Sequence, residues 1–231
     1  MKRAALLLFG LVLSALLLAP LQSHAQNTSN FSFDSLDVEY HISKDPAGHS
    51  NLRVVETFVA RFPNFDQNHG IERFIPDVYD GHPVGPRVTS ITDGSGKALN
   101  YTTRGERSYL VLRIGEADKY VRGQQTYRIE YTLTDVTKSF ESHDEFFWDV
   151  NGTGWNQPFQ RITATLHVPA GLKGRLQDRA PLCFTGREGS KARNCRVTRS
   201  STLGKETISV MATAPLGARE NLSLVVGFQK G

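Results

Sequence analysis

The chain reads as an all-β protein, an antiparallel β-sandwich built either as one core or as two packed β lobes. Three observations carry that reading. Apolar and polar residues alternate with period two, glycine-rich turns separate the alternating runs, and almost no segment spaces its apolar residues for a helix. Thr, Val, Ile, Tyr and Phe fill the runs, as a pleated, half-buried surface requires.

The first segment is an exception. Lys2 and Arg3 lead an apolar run from Ala4 to Ala19, followed by Pro20 and the small residues Ser23 and Ala25. That order is a secretory signal over residues 1–25, with Gln26 as the mature start. The run is shorter than the ~20 residues that span a bilayer, which weighs against an uncleaved anchor. Residues 26–231 then form a single β-rich exported domain, in which no apolar stretch reaches spanning length.

Alternation begins in LDVEYHI (36–42) and LRVVETFVARF (52–62), joined by the turn KDPAG. Residues 66–79 break the pattern and read as a short helical or irregular piece. RVTSI (87–91) is followed by DGSG, a hairpin turn; it fails as a calcium loop because Lys97 stands where the third oxygen ligand belongs. SYLVLRI (108–114) follows the turn RGERS. Further strands are QTYRIEYTL (125–133), RITATLHV (161–168), CRVTR (195–199), ETISVMA (206–212) and NLSLVVGF (221–228). PAGLKG (169–174) is the most plausible internal joint, either a boundary between lobes or a crossover loop.

Composition excludes several function classes. Removing Lys2 and Arg3 from the 27 basic residues leaves 25 against 23 acidic ones, so the formal charge falls from +4 to +2. The charges are dispersed, with none of the concentrated basic face that nucleic acid requires. The two cysteines, Cys183 and Cys195, form an even pair in an exported chain and read as a structural disulfide. The polar loop between them suits a hairpin tied at its base. The G-x-S-x-G elbow, the P-loop and the dinucleotide glycine pattern are absent. Histidines are scattered without local metal-ligand spacing, so neither a cofactor nor a metal is expected.

The segment HDEFFWDVNGTGWNQPF (143–159) carries the densest chemistry. His143, Asp144, Glu145 and Asp149 offer acid–base groups, yet neighbours along a strand point to opposite faces, so Asp144 and Glu145 do not converge. Phe146, Trp148 and Val150 share one face and Glu145 and Phe147 the other. Asn151-Gly152 signals a tight turn, Gly154 suits the positive φ of a bulge, and the rings including Trp155 meet across a hairpin ladder. An exposed sugar platform of Trp148, Trp155 and Phe159 is the rival, and a hydrolase using two of Asp144, Glu145, Asp149 and Glu72 is a third reading. In GIERFIP (70–76), Arg73 either pairs with a carboxylate, Glu56 or Asp144, or lies exposed.

GIERFIP, GQQTYRIEYTL, DEFFWDVNGTGWNQPF, ITATLHVPAGL, the Cys pair and the closing LSLVVGFQKG occur in an order that resembles one family. It is the N-terminal domain of the predicted membrane proteins called domain of unknown function 2207. The matching positions are Gly70, Ile71, Arg73, Pro76, Tyr127, Tyr131, Trp148, Gly152, Gly154 and Trp155. The resemblance implies an exported, β-rich domain outside a membrane, usually followed by transmembrane helices and a low-complexity tail, with no catalytic residue to carry over. This chain stops where the spanning part is expected, so it is either a soluble member or a piece of a longer one. KDPAGHSN is also longer than the tight Asp-Gly turn usual at that point.

The expectation is therefore a non-catalytic exported β-domain with a recognition or scaffold role in the cell envelope. Its partner is an envelope protein or a glycan, and membrane association arises only through a C-terminal continuation or an uncleaved signal.

Overall fold

A computed structural model of the chain describes residues 29–172, 174–177, 181–202 and 205–230. The signal segment lies outside the described residues. In chain order the strands are β1 (Ser32–Lys44), β2 (Ser50–Phe62), β3 (Gly70–Pro76), β4 (Val78–Tyr79), β5 (His82–Pro83), β6 (Arg87–Thr92), β7 (Tyr101–Glu106) and β8 (Tyr109–Gly115). They continue as β9 (Gly123–Thr134), β10 (Lys138–Ser139), β11 (His143–Asp149), β12 (Ile162–Val168), β13 (Leu182–Gly186), β14 (Cys195–Thr202), β15 (Lys205–Ala212) and β16 (Asn221–Gln229). Among the described residues the helical content is a 3-10 turn at Ala170–Leu172. No helix among the described residues is long and apolar enough to cross a membrane.

The architecture is an all-β sandwich. One layer is a seven-stranded sheet in the order β14-β15-β12-β1-β2-β9-β6. A four-stranded sheet, β10-β11-β16-β13, and a three-stranded sheet, β3-β8-β7, cover its inner face. The β1–β12 seam is parallel, so the large sheet is not wholly antiparallel. Period two accounts for the two faces: Leu52, Val54, Phe58 and Ala60 of β2 point into the core, while Arg53 and Thr57 point outward. The outer face is rich in Thr and charge and meets solvent, as one side of such a sheet commonly does.

All nine alternating segments form strands, and the DGSG turn follows its chemistry. Asp93 Oδ1 accepts from the Ser95 and Lys97 amides at 2.9 and 3.0 Å, closing the DGSG hairpin. Residues 66–79 are different from the expectation: they contain β3, with Ile71, Arg73 and Ile75 all buried. An arginine at an inward position disguised the alternation. PAGLKG carries the chain from the seven-stranded to the four-stranded sheet, and both sheets contribute to one contiguous hydrophobic cluster.

Cys183 and Cys195 are bonded, with Cα atoms 6.2 Å apart. Their loop folds back locally through the Thr185–Ala192 bridge. It is not a hairpin within one sheet, however: β13 is an edge of the four-stranded sheet and β14 an edge of the seven-stranded one. The disulfide therefore fastens the two layers together at their margins. Replacing both cysteines by Ala should lower unfolding free energy by about 2–3 kcal/mol. Urea denaturation with and without reductant measures this, and the reduced wild type should match the variant.

Candidate functional site

Two segments far apart in sequence, GIERFIP and the stretch after Asp149, converge on one cleft of about 1050 Å³. GIERFIP supplies one wall through β3, with β8 beside it; the loop after β11, from Asn151 to Gln157, supplies the other. Arg73, Asp149, Gly152, Gly154 and Trp155 all line it. Trp148 does not; its ring packs 5.6 Å from Tyr79 and 6.0 Å from Phe146.

The floor rests on a buried ion pair. Arg73 Nε donates to Glu56 Oε2 at 2.8 Å and Nη2 to Oε1 at 2.5 Å, a bidentate geometry that ties the three-stranded sheet to the seven-stranded one. Arg73 Nη1 donates to the Phe74 carbonyl at 2.7 Å, and Tyr131 Oη donates to Glu56 Oε1 at 2.8 Å. The guanidinium also lies 5.9 Å from the Phe58 ring centroid. Burial works against the Arg73 charge, but the Glu56 carboxylate outweighs it and holds the guanidinium pKa above its ordinary value. Burial, and then Glu56, push the Tyr131 and Tyr40 phenols well above their usual range, so both stay neutral. Of the alternatives for Arg73, the Glu56 pair is the one present; Asp144 instead accepts from Lys230 at 2.7 Å.

The loop wall is held by asparagines acting as backbone substitutes. Buried Asn151 accepts the Leu222 amide at 3.0 Å and donates to the Glu220 carbonyl at 2.8 Å, while Asn221 accepts the Gly152 amide at 3.0 Å. Trp155 Nε1 donates to the Asn151 carbonyl at 2.9 Å. Gly152 adopts φ 75°, the left-handed turn position its dipeptide promises. Gly154 has no positive φ and forms no bulge.

The aromatic hairpin does not form. β11 pairs with β16 and β10, and the chain from Val150 onward leaves for the seven-stranded sheet. The true ladder partner of β11 lies 74 to 86 residues downstream, where local turn signals carry no information about it. The rings meet in the core instead: Phe33 stacks on Phe159 at 4.5 Å and meets Trp155 edge-on at 4.8 Å. Trp148, Trp155 and Phe159 are 4%, 9% and 0% exposed, so they provide no sugar platform. Tyr109, 43% exposed, is an accessible ring on the cleft wall.

Two of the four candidate carboxylates meet at the cleft and two do not. Asp144 and Glu145 lie away from the cleft; Glu72 and Asp149 both line it. Glu72 pairs with Arg104 at 3.0 Å, and Asp149 accepts from Asn221 at 2.6 Å and Ser223 at 2.7 Å. Arg107, Arg113 and Arg219 interleave with these acids, giving a mixed polar lining.

A second cluster, invisible to local spacing, lies on the outer face of the large sheet. His41 of β1 and His167 of β12 are register partners with ring centroids 4.3 Å apart, and His167 Nε2 shares a hydrogen bond with Glu39 Oε2.

Among solved structures, the chain is similar to the M1 zinc metallopeptidase from Deinococcus radiodurans, with 14% identity and a TM-score of 0.47 over 85% of this chain. It is also similar to leukotriene A4 hydrolase from Saccharomyces cerevisiae, with 14% identity and a TM-score of 0.46 over 93% of this chain. The chain spans 42% and 33% of those two proteins. No curated protein matches it. The model of the family described as "Predicted membrane protein (DUF2207) N-terminal domain" matches residues 32–228, nearly all of the described chain, and the protein belongs to that family.

Proposed function

We propose that the chain is a non-catalytic, exported recognition domain of the cell envelope, and that it holds its ligand in the cleft between β3 and the Asn151–Gln157 loop. One observation carries the reading: GIERFIP and the Asn151–Gln157 loop, separate in sequence, meet at this cleft, on a floor stiffened by the Arg73–Glu56 pair. A concave cleft that combines apolar walls with a few converging polar groups is where a ligand is normally held. Interleaved Arg and Glu side chains suit a neutral or zwitterionic polar polymer, a glycan or an extended protein segment, better than a polyanion. The disulfide supports an oxidising compartment.

Photo-cross-linking in cells tests this from two cleft positions, Thr102 and Thr153, and one outer-face position, Thr132. The expected result is adducts with an envelope component from the cleft alone. Equal labelling from Thr132 sinks the reading. A hydrolase is the second reading, because Glu72 and Asp149 share the cleft. It requires release of reducing ends from peptidoglycan that Glu72→Gln abolishes; unchanged glycan removes it.

A further inference from the structure

We propose that Glu39, His41 and His167 form a binding site for one divalent transition-metal ion, with zinc the ion their donors suit. One donor atom from each side chain lies within 4.8 Å of the other two, outside the cleft described above. The backbone sets this up. His41 and His167 face each other across the parallel β1–β12 seam, and Glu39, two residues before His41, projects from the same face.

A tetrahedral zinc at about 2.0–2.1 Å from each ligand holds its donors roughly 3.4 Å apart, so the three donor atoms must be re-spaced, the hydrogen-bonded Glu39–His167 pair opening slightly. The stacked rings, whose planes are 5° from parallel, must also turn so that their lone pairs meet at one point. Both rings are half-buried and Glu39 is exposed, so side-chain rotation suffices and the strands need not move. The ion takes the place of the proton now shared between Glu39 and His167. Water completes the fourth position on the solvent side.

The donor set selects among cations. Two imidazoles and one carboxylate suit zinc, nickel or copper, whereas calcium requires six to eight oxygens. Arg53, the register partner of His41 on β2, is a neighbouring cation in the sheet; it is engaged by Glu130 at 2.7 Å, which offsets its charge. A bound ion would cross-link β1 to β12, the seam between the strands of the first half of the chain and those of the second.

Isothermal titration of the chelator-stripped full chain with zinc sulfate is the test. Saturation at one ion per chain is expected at micromolar free zinc, and excess zinc should raise Tm by about 5 °C. Loss of an outer-shell partner already weakens metal binding about 10–100-fold, so His41→Asn or His167→Asn should cost at least about 100-fold. His49→Asn should bind like the wild type. Copper paramagnetic resonance gives a readout that does not depend on the variants folding: two nitrogen couplings are expected in the wild-type spectrum. Absence of those couplings, no saturable zinc site, or unchanged affinity in the folded His variants overturns the proposal.

Discussion

Replacing Arg73 by Ala should lower the unfolding free energy by about 3–5 kcal/mol, the range seen when one partner of a buried ion pair is removed. Glu56 is fully buried and receives three of its hydrogen bonds from Arg73 and Tyr131. Without the guanidinium, its carboxylate faces an apolar core with one phenol donor left. The double variant Arg73→Met with Glu56→Leu should recover most of the loss, because a well-packed apolar pair removes both charges together. Arg104→Ala, which breaks only exposed pairs with Glu72 and Glu106, should leave stability nearly unchanged. Urea denaturation separates these outcomes. Equal effects for Arg73→Ala and Arg104→Ala would show that the buried pair does not hold the two sheets together.

Gly70→Ala should be comparably damaging, at about 3 kcal/mol or more, for a backbone reason. Gly70 and Gly115 are register partners at the mouth of the β3–β8 pair, with φ of 141° and 133°. A Cβ on Gly70 would stand 1.8 Å from the Ile114 carbonyl oxygen, and one on Gly115 would stand 1.9 Å from that of His69. Backbone atoms on both sides cannot swing away as a side chain can, so the strands must separate. Combining the two substitutions should cost less than the sum, since one separation relieves both clashes. Gly154→Ala is the control: it has open space and no positive φ, and should change stability by about 0.5 kcal/mol or less. A Gly70→Ala variant as stable as Gly154→Ala would contradict the close approach.

These two residues also show where reading along the chain succeeds and where it stops. Alternation in β1, β2, β9 and β12 displays which side chains face inward because period two is a local property of the pleat. In β3 the same alternation holds, but its inward set is Ile71, Arg73 and Ile75, and a charge at the middle position looks like an interruption. Its reason for being inside, Glu56 on another strand, is not a neighbour in sequence. The aromatic segment behaves likewise. The two faces of Phe146, Phe147 and Trp148 were legible, whereas the pairing of β11 with β16 was not. A local turn signal at Asn151-Gly152 predicted a hairpin; the chain uses that turn to change sheets.

The sequence by itself determined the all-β class, the disulfide partners, the family and the segments that carry it, because composition, periodicity and motif order are written residue by residue. Only the tertiary structure decided which strands share a sheet, that GIERFIP and the Asn151–Gln157 loop face one cleft, and that His41 lies against His167. Each of those depends on pairing between strands distant in the chain, where burial of a common core, not adjacency, selects the partner.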